Sequence, residues 1–289
     1  MTLQADSIRT AAVLGAGTMG HGIAQVLAQS GIATRLFDVQ SDAVELGIQK
    51  ITRNLDKGVE RGKVDVAMRE ATIANLSGTT DLDEAIAGVQ CVVEAVPERM
   101  ELKTDLFGKL GAALGPDVML ASNTSSLSLT EIARSAAHPE RVVGMHFFNP
   151  VHIMKLVEVV RAETTSEDAA RCAIDLSVRM GKQPIDVRDA PGFASSRLGI
   201  AIGMEAIRMV EENVASAEDI DKAMTLGYGF PMGPLKLTDL VGLDVRLSIA
   251  EYLASTLGER FQPPQLLRDK VAAGELGKKS GRGFYDWND

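Results

Sequence analysis

Hydrophobic and polar positions fall into two regimes along the chain. Up to about Val187, short apolar runs alternate with stretches in which apolar residues recur every three or four positions, a pattern that predicts strands alternating with helices. Ala11 to Leu14 is such a run. It ends in Gly15-Ala16-Gly17-Thr18-Met19-Gly20, and an apolar helical stretch follows through Ile23, Val26 and Leu27 to a stop at Gly31. The pattern reads as strand, glycine turn, helix. A second strand, Ala33 to Val39, places Asp38 at its tip, 18 residues beyond Gly20. Further strands are expected at Gln90 to Val96, Val118 to Ala121, Val142 to Phe147 and Lys155 to Val160, with helices at Arg99 to Leu114 and Ser128 to Ala137. Such alternation implies an α/β fold, a doubly wound Rossmann-type sheet with helices on both faces. Between Asp38 and Cys91, Val44, Ile48, Ile51, Leu55 and Val59 recur at helical spacing, which predicts an added helical excursion over about 42–76.

Beyond Val187 the strand signals cease. Asp189-Ala190-Pro191-Gly192 reads as a linker turn, Leu198 to Val214 as a long helix, and Ser216 with Asp219 as a capping box. Gly227 to Pro234, with three glycines and two prolines, forces an irregular connection. The expected organisation is a dinucleotide-binding domain over 1–188 and an all-helical C-terminal domain over 189–289. The apolar helices of the second domain exceed what about 100 residues bury internally, which predicts a homodimer formed through them.

Composition narrows the functional classes. The 289 residues are 45% hydrophobic and 24% charged, the balance of an ordinary globular protein rather than a disordered one. A net charge of -9 repels phosphate backbones and anionic lipid, so neither nucleic acid nor a membrane surface is an expected partner. The longest uncharged run, Thr10 to Thr34, has five glycines, two glutamines, His21 and Ser30 and would cross a bilayer poorly. No targeting segment and no internal repeat is visible. Cys91 and Cys172 are too few for a disulfide framework and have no neighbours for a metal site; they suit a reducing compartment, and a cytoplasmic location is expected.

The glycine turn carries the first candidate chemistry. Gly15 permits the tight turn, Gly17 lets backbone approach a pyrophosphate, and Gly20 lets helix and strand pack closely, with the helix N-terminus facing the phosphates. Asp38 would accept from the adenosine ribose hydroxyls and repel a 2′-phosphate, and no arginine follows closely, so NAD is favoured over NADP. The second candidate is a base. Of four histidines, His21 adjoins the glycine turn and His138 precedes Pro139 in a polar loop, while His146 ends an apolar strand and His152 lies in the turn after it. Strand ends of such a sheet border the ligand crevice. Glu158, amid Leu156, Val157, Val159 and Val160, is a carboxylate in an apolar strand, costly unless paired, and a His146–Glu158 pair would explain it. Ser122-Asn123-Thr124-Ser125-Ser126 adds hydroxyl and amide donors at the same edge, and one of these serines is expected to cap the helix beginning near Leu127.

The residues of Gly15 to Gly20, Ser122 to Leu127, His146-Phe147-Phe148-Asn149-Pro150 with Lys155-Leu156-Val157-Glu158, Pro191-Gly192-Phe193 and Gly281-Arg282-Gly283-Phe284-Tyr285 stand in the order and spacing of a known family. From about Ile8 to Trp287 the chain resembles the 3-hydroxyacyl-CoA dehydrogenases, near the bacterial 3-hydroxybutyryl-CoA dehydrogenases. The resemblance implies reversible, NAD-dependent oxidation of an (S)-3-hydroxyacyl-CoA to a 3-oxoacyl-CoA. By it, His146 is the general base, Glu158 its orienting acid, and Ser125 a substrate contact near the reacting carbon. Gly15, Ala16, Gly17, Thr18, Met19, Gly20 and Asp38 form the cofactor turn, and Glu98, Lys103, Asn149 and Lys279 fall on positions that contact NAD. Where most members carry asparagine four residues after the Pro-Gly pair, this chain has Ser196, which is expected to take over the contact, through a water. Lys50, Arg53, Lys57, Arg61 and Lys63 outnumber Asp56 and Glu60 on the helical excursion and suggest a clamp for CoA phosphates, with Lys57 at its centre. A same-fold dehydrogenase of a free hydroxy acid would have no use for that clamp, and an NAD-binding protein without turnover would have no use for His146 and Glu158.

Overall fold

The computed structural model describes residues 4–287 and separates into two compact units, one running up to Ala190 and one from Pro191 on. The first unit is built on eight strands. In chain order its elements are β1 (Thr10–Leu14), α1 (Gly20–Gln29), β2 (Ala33–Phe37), α2 (Ser41–Glu60), α3 (Val66–Ala74), β3 (Leu76–Thr79), α4 (Leu82–Ile86), β4 (Cys91–Glu94), α5 (Met100–Ala113), β5 (Met119–Ser122), α6 (Leu129–Arg134), β6 (Val142–Phe147), β7 (Leu156–Arg161), α7 (Glu167–Arg179) and β8 (Gln183–Arg188). The strands lie in the order β3-β2-β1-β4-β5-β6-β7-β8, all neighbours parallel except the antiparallel pair β6 and β7. Chain order reverses direction between β1 and β4, and a doubly wound sheet opens its ligand crevice at the carboxyl ends of the strands at such a point.

The core of this unit follows from strands apolar on both faces. Residues Ala11 to Leu14 of β1 and every residue of β4, β5 and β6 are buried. The helical excursion consists of α2 and α3, with Asp65 capping α3 through the Met68 amide. It ends by adding β3 beside β2, an edge strand too short and too polar to stand out in the sequence. The other edge strand, β8, and the helix before it, α7, were likewise not expected. β8 is exposed except at two half-buried positions, Pro184 and Val187, and has no apolar run.

The second unit comprises α8 (Ser195–Glu211), α9 (Ala217–Lys222), a π-helical turn at Ala223–Gly227, α10 (Pro234–Val241), α11 (Leu243–Leu257) and α12 (Gln265–Ala272). It is helical as expected, with only isolated bridges at Gly277, Arg282 and Asp286 among the described residues. Ser216 caps α9 by accepting from the Asp219 amide and donates in turn to the Asp219 carboxylate, the capping box read from sequence. Ile200, Met204, Ile207, Leu235, Leu243, Leu253 and Leu267 form its core. The Gly281 to Trp287 segment is clasped by a single buried carboxylate: Asp239 accepts from the Phe284 and Tyr285 amides and from Trp287 Nε1, at 2.8–2.9 Å. A side chain at Gly283 would overlap that carboxylate, which explains the glycine between Arg282 and Phe284.

Candidate active site

The turn after β1 is shaped by backbone contact. Gly15 has φ +105°, and a Cβ there would overlap the Ala95 carbonyl; a Cβ at Gly20 would overlap the Gly15 carbonyl. Both glycines are therefore required by the fold itself. Gly17 differs, because a Cβ built on it meets nothing within 4 Å. Its bare side faces open space at the N-terminus of α1, where backbone can approach a pyrophosphate. Asp38 Oδ2 accepts from the Ala16 amide at 2.9 Å, so the acid at the tip of the second strand braces the glycine turn. These features fit a dinucleotide.

A cavity of about 570 Å³ opens over this turn and is lined by Gly15, Gly17, Thr18, Met19, Asp38, Glu98, Lys103, Ser125, His146 and Asn149, among others. Ala16 and Gly20 are buried behind it, and Glu158 stands behind His146 with no exposure at all. β6 and β7 run antiparallel with His146 directly opposite Glu158. Opposed residues project from the same face, so the register alone brings the two side chains together. His146 Nδ1 lies 2.7 Å from Glu158 Oε2, and Phe148 packs against the imidazole in a tilted arrangement, 4.6 Å between ring centroids. With Nδ1 turned to the carboxylate, the remaining ring nitrogen, Nε2, is on the opposite edge of a ring that lines the cavity.

The Ser-rich loop after β5 is held differently from expectation. Its donors turn mainly to two glutamates. Glu98 Oε1 accepts from Thr124 Oγ1 at 2.7 Å, from the Ser125 amide at 2.8 Å and from the Ser126 amide at 3.2 Å; Ser125 Oγ is 3.2 Å away. Ser122 Oγ donates to the fully buried Glu94, and Asn123 Oδ1 accepts from the Phe147 amide. The helix cap is not one of these serines. Ser128 caps α6 by accepting from the Glu131 amide, while Thr124 Oγ1 accepts from the Leu127 amide.

Lys103 is 1% exposed and bridges Glu94 Oε1 at 2.6 Å and Glu98 Oε2 at 3.2 Å. Burial disfavours the charged form of Glu98, but the Lys103 charge and the Thr124 and Ser125 hydrogen bonds outweigh it and hold the carboxyl below its ordinary range. Sequence reasoning missed Glu94. It was absorbed into an apolar strand, although a carboxylate among Val92, Val93 and Ala95 is the same signal that singled out Glu158.

Some expected residues are not among those that line this cavity. Lys57 is exposed on α2, on one face with Lys50 and Arg53, and does not line it. His21 and His152 are both driven toward the neutral form, first by burial. Ser196 opens α8 in the second unit, and there Lys279 pairs with Asp244 at 2.5 Å. Among the described residues there is no group of histidine, cysteine and carboxylate side chains fit to hold a metal, and no helix long and apolar enough to cross a membrane.

Comparison with known proteins agrees with this geometry. Residues 10–190 match the family model of the 3-hydroxyacyl-CoA dehydrogenase NAD binding domain, and residues 192–287 that of the C-terminal domain. The chain is 46% identical over 283 residues to a probable 3-hydroxybutyryl-CoA dehydrogenase of Bacillus subtilis, covering 98% of each. It is 42% identical to a 3-hydroxyadipyl-CoA dehydrogenase of Escherichia coli, covering 97% of this chain and 59% of that one. The crystal structure of an (S)-3-hydroxybutyryl-CoA dehydrogenase from Ralstonia eutropha superposes with a TM-score of 0.94 at 38% identity, covering 98% of this chain and all of that one. With a matched NAD-binding domain, a matched C-terminal domain and full-length relatives, the chain belongs to the 3-hydroxyacyl-CoA dehydrogenase family.

Proposed function

We propose that this protein oxidises an (S)-3-hydroxyacyl-CoA to the 3-oxoacyl-CoA, reversibly and with NAD, and that His146 is its general base. The observation that carries the reading is the 2.7 Å contact between His146 Nδ1 and Glu158 Oε2 at the wall of the cavity that also holds the glycine turn. NAD, when bound, supplies the hydride acceptor. The chain supplies the proton chemistry: the His146 Nε2 edge takes the 3-hydroxyl proton, and Glu158 fixes the tautomer and stabilises the imidazolium that forms. In the reducing direction the same imidazolium returns the proton to the carbonyl oxygen. Ser125, pinned by Glu98, is the hydroxyl placed to hold the substrate oxygen, and the buried Lys103 keeps Glu98 charged.

We assign Asp38, Glu98, Lys103 and Asn149 to the cofactor side of the cavity, Lys279 to a later cofactor contact, Ser196 to the substrate, and Lys57 with Lys50 and Arg53 to the CoA phosphates. The second unit exposes Leu198, Ile202, Leu226, Tyr228 and Val241, which supports self-association as a homodimer. Two buried free thiols support a reducing, cytoplasmic setting. The test is loss of NADH absorbance on addition of acetoacetyl-CoA, the reverse of the reaction in the names of two relatives, with NADPH alongside. Turnover with NADH and little with NADPH is expected; absence of turnover with any 3-oxoacyl-CoA would end the proposal.

A further inference from the structure

One buried ammonium of the first unit takes no part in the proton chemistry of the cavity. Lys182, in the connection between α7 and β8, is 8% exposed. Burial holds its pKa below the ordinary lysine range, and among the described residues it pairs with no carboxylate. Its Nζ donates instead to the Val151 carbonyl and, at 2.9 Å, to the Met154 carbonyl. No backbone amide among the described residues reaches either oxygen, so the lysine is what satisfies them. A cation buried without an opposite charge is costly to folding, and it persists where it has a task.

The task follows from what the held segment carries. Val151 and Met154 belong to the connection between β6 and β7, residues 148–155, which joins the strand of His146 to the strand of Glu158. Its first residues, Phe148 and Asn149, line the cavity, and Phe148 packs on the His146 imidazole. The segment then folds back on itself, the Pro150 carbonyl accepting from the Ile153 and Met154 amides at 2.9 Å. A second element meets it at Val151, which is 2% exposed: a Cβ at Gly22 of α1 would stand 2.8 Å from Val151 Cβ, so only a glycine lets the helix approach this closely. The connection is thus held at two points, by Lys182 through its carbonyls and by α1 through the Val151 side chain. The helix that follows the dinucleotide turn is thereby tied to the strand that bears the base.

We propose that Lys182 is a positioning residue for the reaction: by holding the β6–β7 connection against α1, it keeps Asn149 at the cofactor and Phe148 on the imidazole. The inference deepens the dehydrogenase reading and rests on it. An ammonium suits the task because its donors join two carbonyls at once, whereas an apolar side chain in its place would leave both unsatisfied and the segment free to shift. Small displacements of a group that orients the reactants are costly to the rate even when the displaced contact is far from the chemistry.

The test measures NADH affinity by fluorescence titration, kinetics with acetoacetyl-CoA and thermal stability in wild type, Lys182→Met, Lys182→Arg and Asn149→Ala, and in the Lys182→Met/Asn149→Ala double variant. Lys182→Met should weaken NADH binding roughly 3- to 10-fold, the effect of losing one neutral hydrogen bond at Asn149, and lower kcat by a similar factor. The KM for acetoacetyl-CoA should stay within about twofold, and Lys182→Arg, which keeps donors, should recover part of both losses. Because Lys182 acts through Asn149, the double variant should bind NADH no more weakly than Asn149→Ala alone. A folded Lys182→Met protein with a lower melting temperature but wild-type NADH affinity and kcat has lost only structure and overturns the proposal, as do losses of NADH affinity that add in the double variant. Should Lys182→Met not fold, Gly22→Ala crowds Val151 with Lys182 intact and must show the same weakening and the same non-additivity with Asn149→Ala; wild-type affinity in folded Gly22→Ala overturns the proposal. A wild type that binds NADH but reduces no 3-oxoacyl-CoA refutes the dehydrogenase reading itself, and the NADH titrations still decide the role of Lys182.

Discussion

Replacing Glu158 by glutamine tests the base most directly, because the substitution preserves shape and removes charge. Glu158 is fully buried, and its Oε2 sits 2.7 Å from His146 Nδ1. An amide oxygen can still accept from Nδ1–H, but it no longer stabilises the cation that forms as the hydroxyl proton is taken. A hydrogen bond to a charged group is worth about 1.5–3 kcal/mol and a neutral one about 0.5–1.5 kcal/mol, so loss of charge alone costs roughly 1–1.5 kcal/mol, or about tenfold in rate. A second effect adds to this. The glutamine NH₂ can turn to Nδ1 instead, which puts the ring proton on Nε2, where the lone pair is needed; loss of the correct tautomer in a Ser-His-Asp triad costs about 10⁴-fold. For Glu158→Gln, kcat is therefore expected to fall between about 10- and 10⁴-fold, measured as NADH oxidation with a 3-oxoacyl-CoA. The KM for NADH should stay within about threefold and the circular dichroism should match wild type, which separates lost chemistry from lost structure. A folded Glu158→Gln protein turning over within twofold of wild type would refute the assignment of His146 and Glu158 as a working pair.

The remaining predictions concern the cofactor turn, the loop and the residues assigned to substrate. Gly17→Ala should fold with wild-type thermal stability but bind NADH more weakly in fluorescence titration, while Gly20→Ala should lose stability outright, because only the second Cβ meets the protein's own backbone. Glu98 has a native pKa below its ordinary value, so the stability that depends on its ionised form is present above the unfolded glutamate value of about 4.3 and is lost as pH falls through the lower native value. Acid denaturation followed from pH 6 to 3 should thus be shallower in Glu98→Gln than in wild type, and an unchanged slope would contradict the network drawn around it. Reversing charge at Lys50, Arg53 and Lys57 together should raise the KM for acyl-CoA in a salt-dependent way and leave that for NADH alone; no change in either would remove the clamp. Ser196→Asn should keep turnover within about tenfold, since one neutral hydrogen bond is exchanged, and a collapse of activity in the folded variant would exclude the role given to Ser196.

What could be read from sequence was decided by how local its cause is. The β1–turn–α1 unit was legible because steric demands at Gly15 and Gly20 act over six residues. The facing of His146 and Glu158 was legible because a carboxylate in an apolar strand asks for a partner, and the partner lies across a single antiparallel register. β3, α7 and β8 were not legible, because edge strands gain their identity from the strand they pair with and carry little apolar pattern of their own. The donors of Ser122 to Ser126 were legible as donors but not in direction, since their acceptors Glu94 and Glu98 lie on a different strand and loop, 26 to 28 residues away. Lys182 carried no signal at all. A lysine just past a helix reads as a surface residue until the fold buries it.

The same consideration shows how the first unit readies its site. Ser125 could occupy many rotamers and backbone states if its loop were free, and fixing it at the moment of binding would be paid from substrate affinity. Instead, one oxygen of Glu98 gathers the hydroxyl of Thr124 and two successive loop amides, and the other oxygen faces Lys103. Lys103 is in turn held by Glu94, whose second oxygen takes Ser122 at the start of the same loop. Two carboxylates and one ammonium thereby close a circuit from β4 to the end of β5, buried at its centre and open to the cavity at Glu98 and Ser125. Removing Lys103 leaves the fully buried Glu94 carboxylate without its cation, a loss that breaking a buried pair sets at about 3–5 kcal/mol. Lys103→Met should therefore lower thermal stability more than Glu98→Gln, which leaves the Glu94–Lys103 pair intact. Equal losses in the two variants would show that the circuit is not held together in this order.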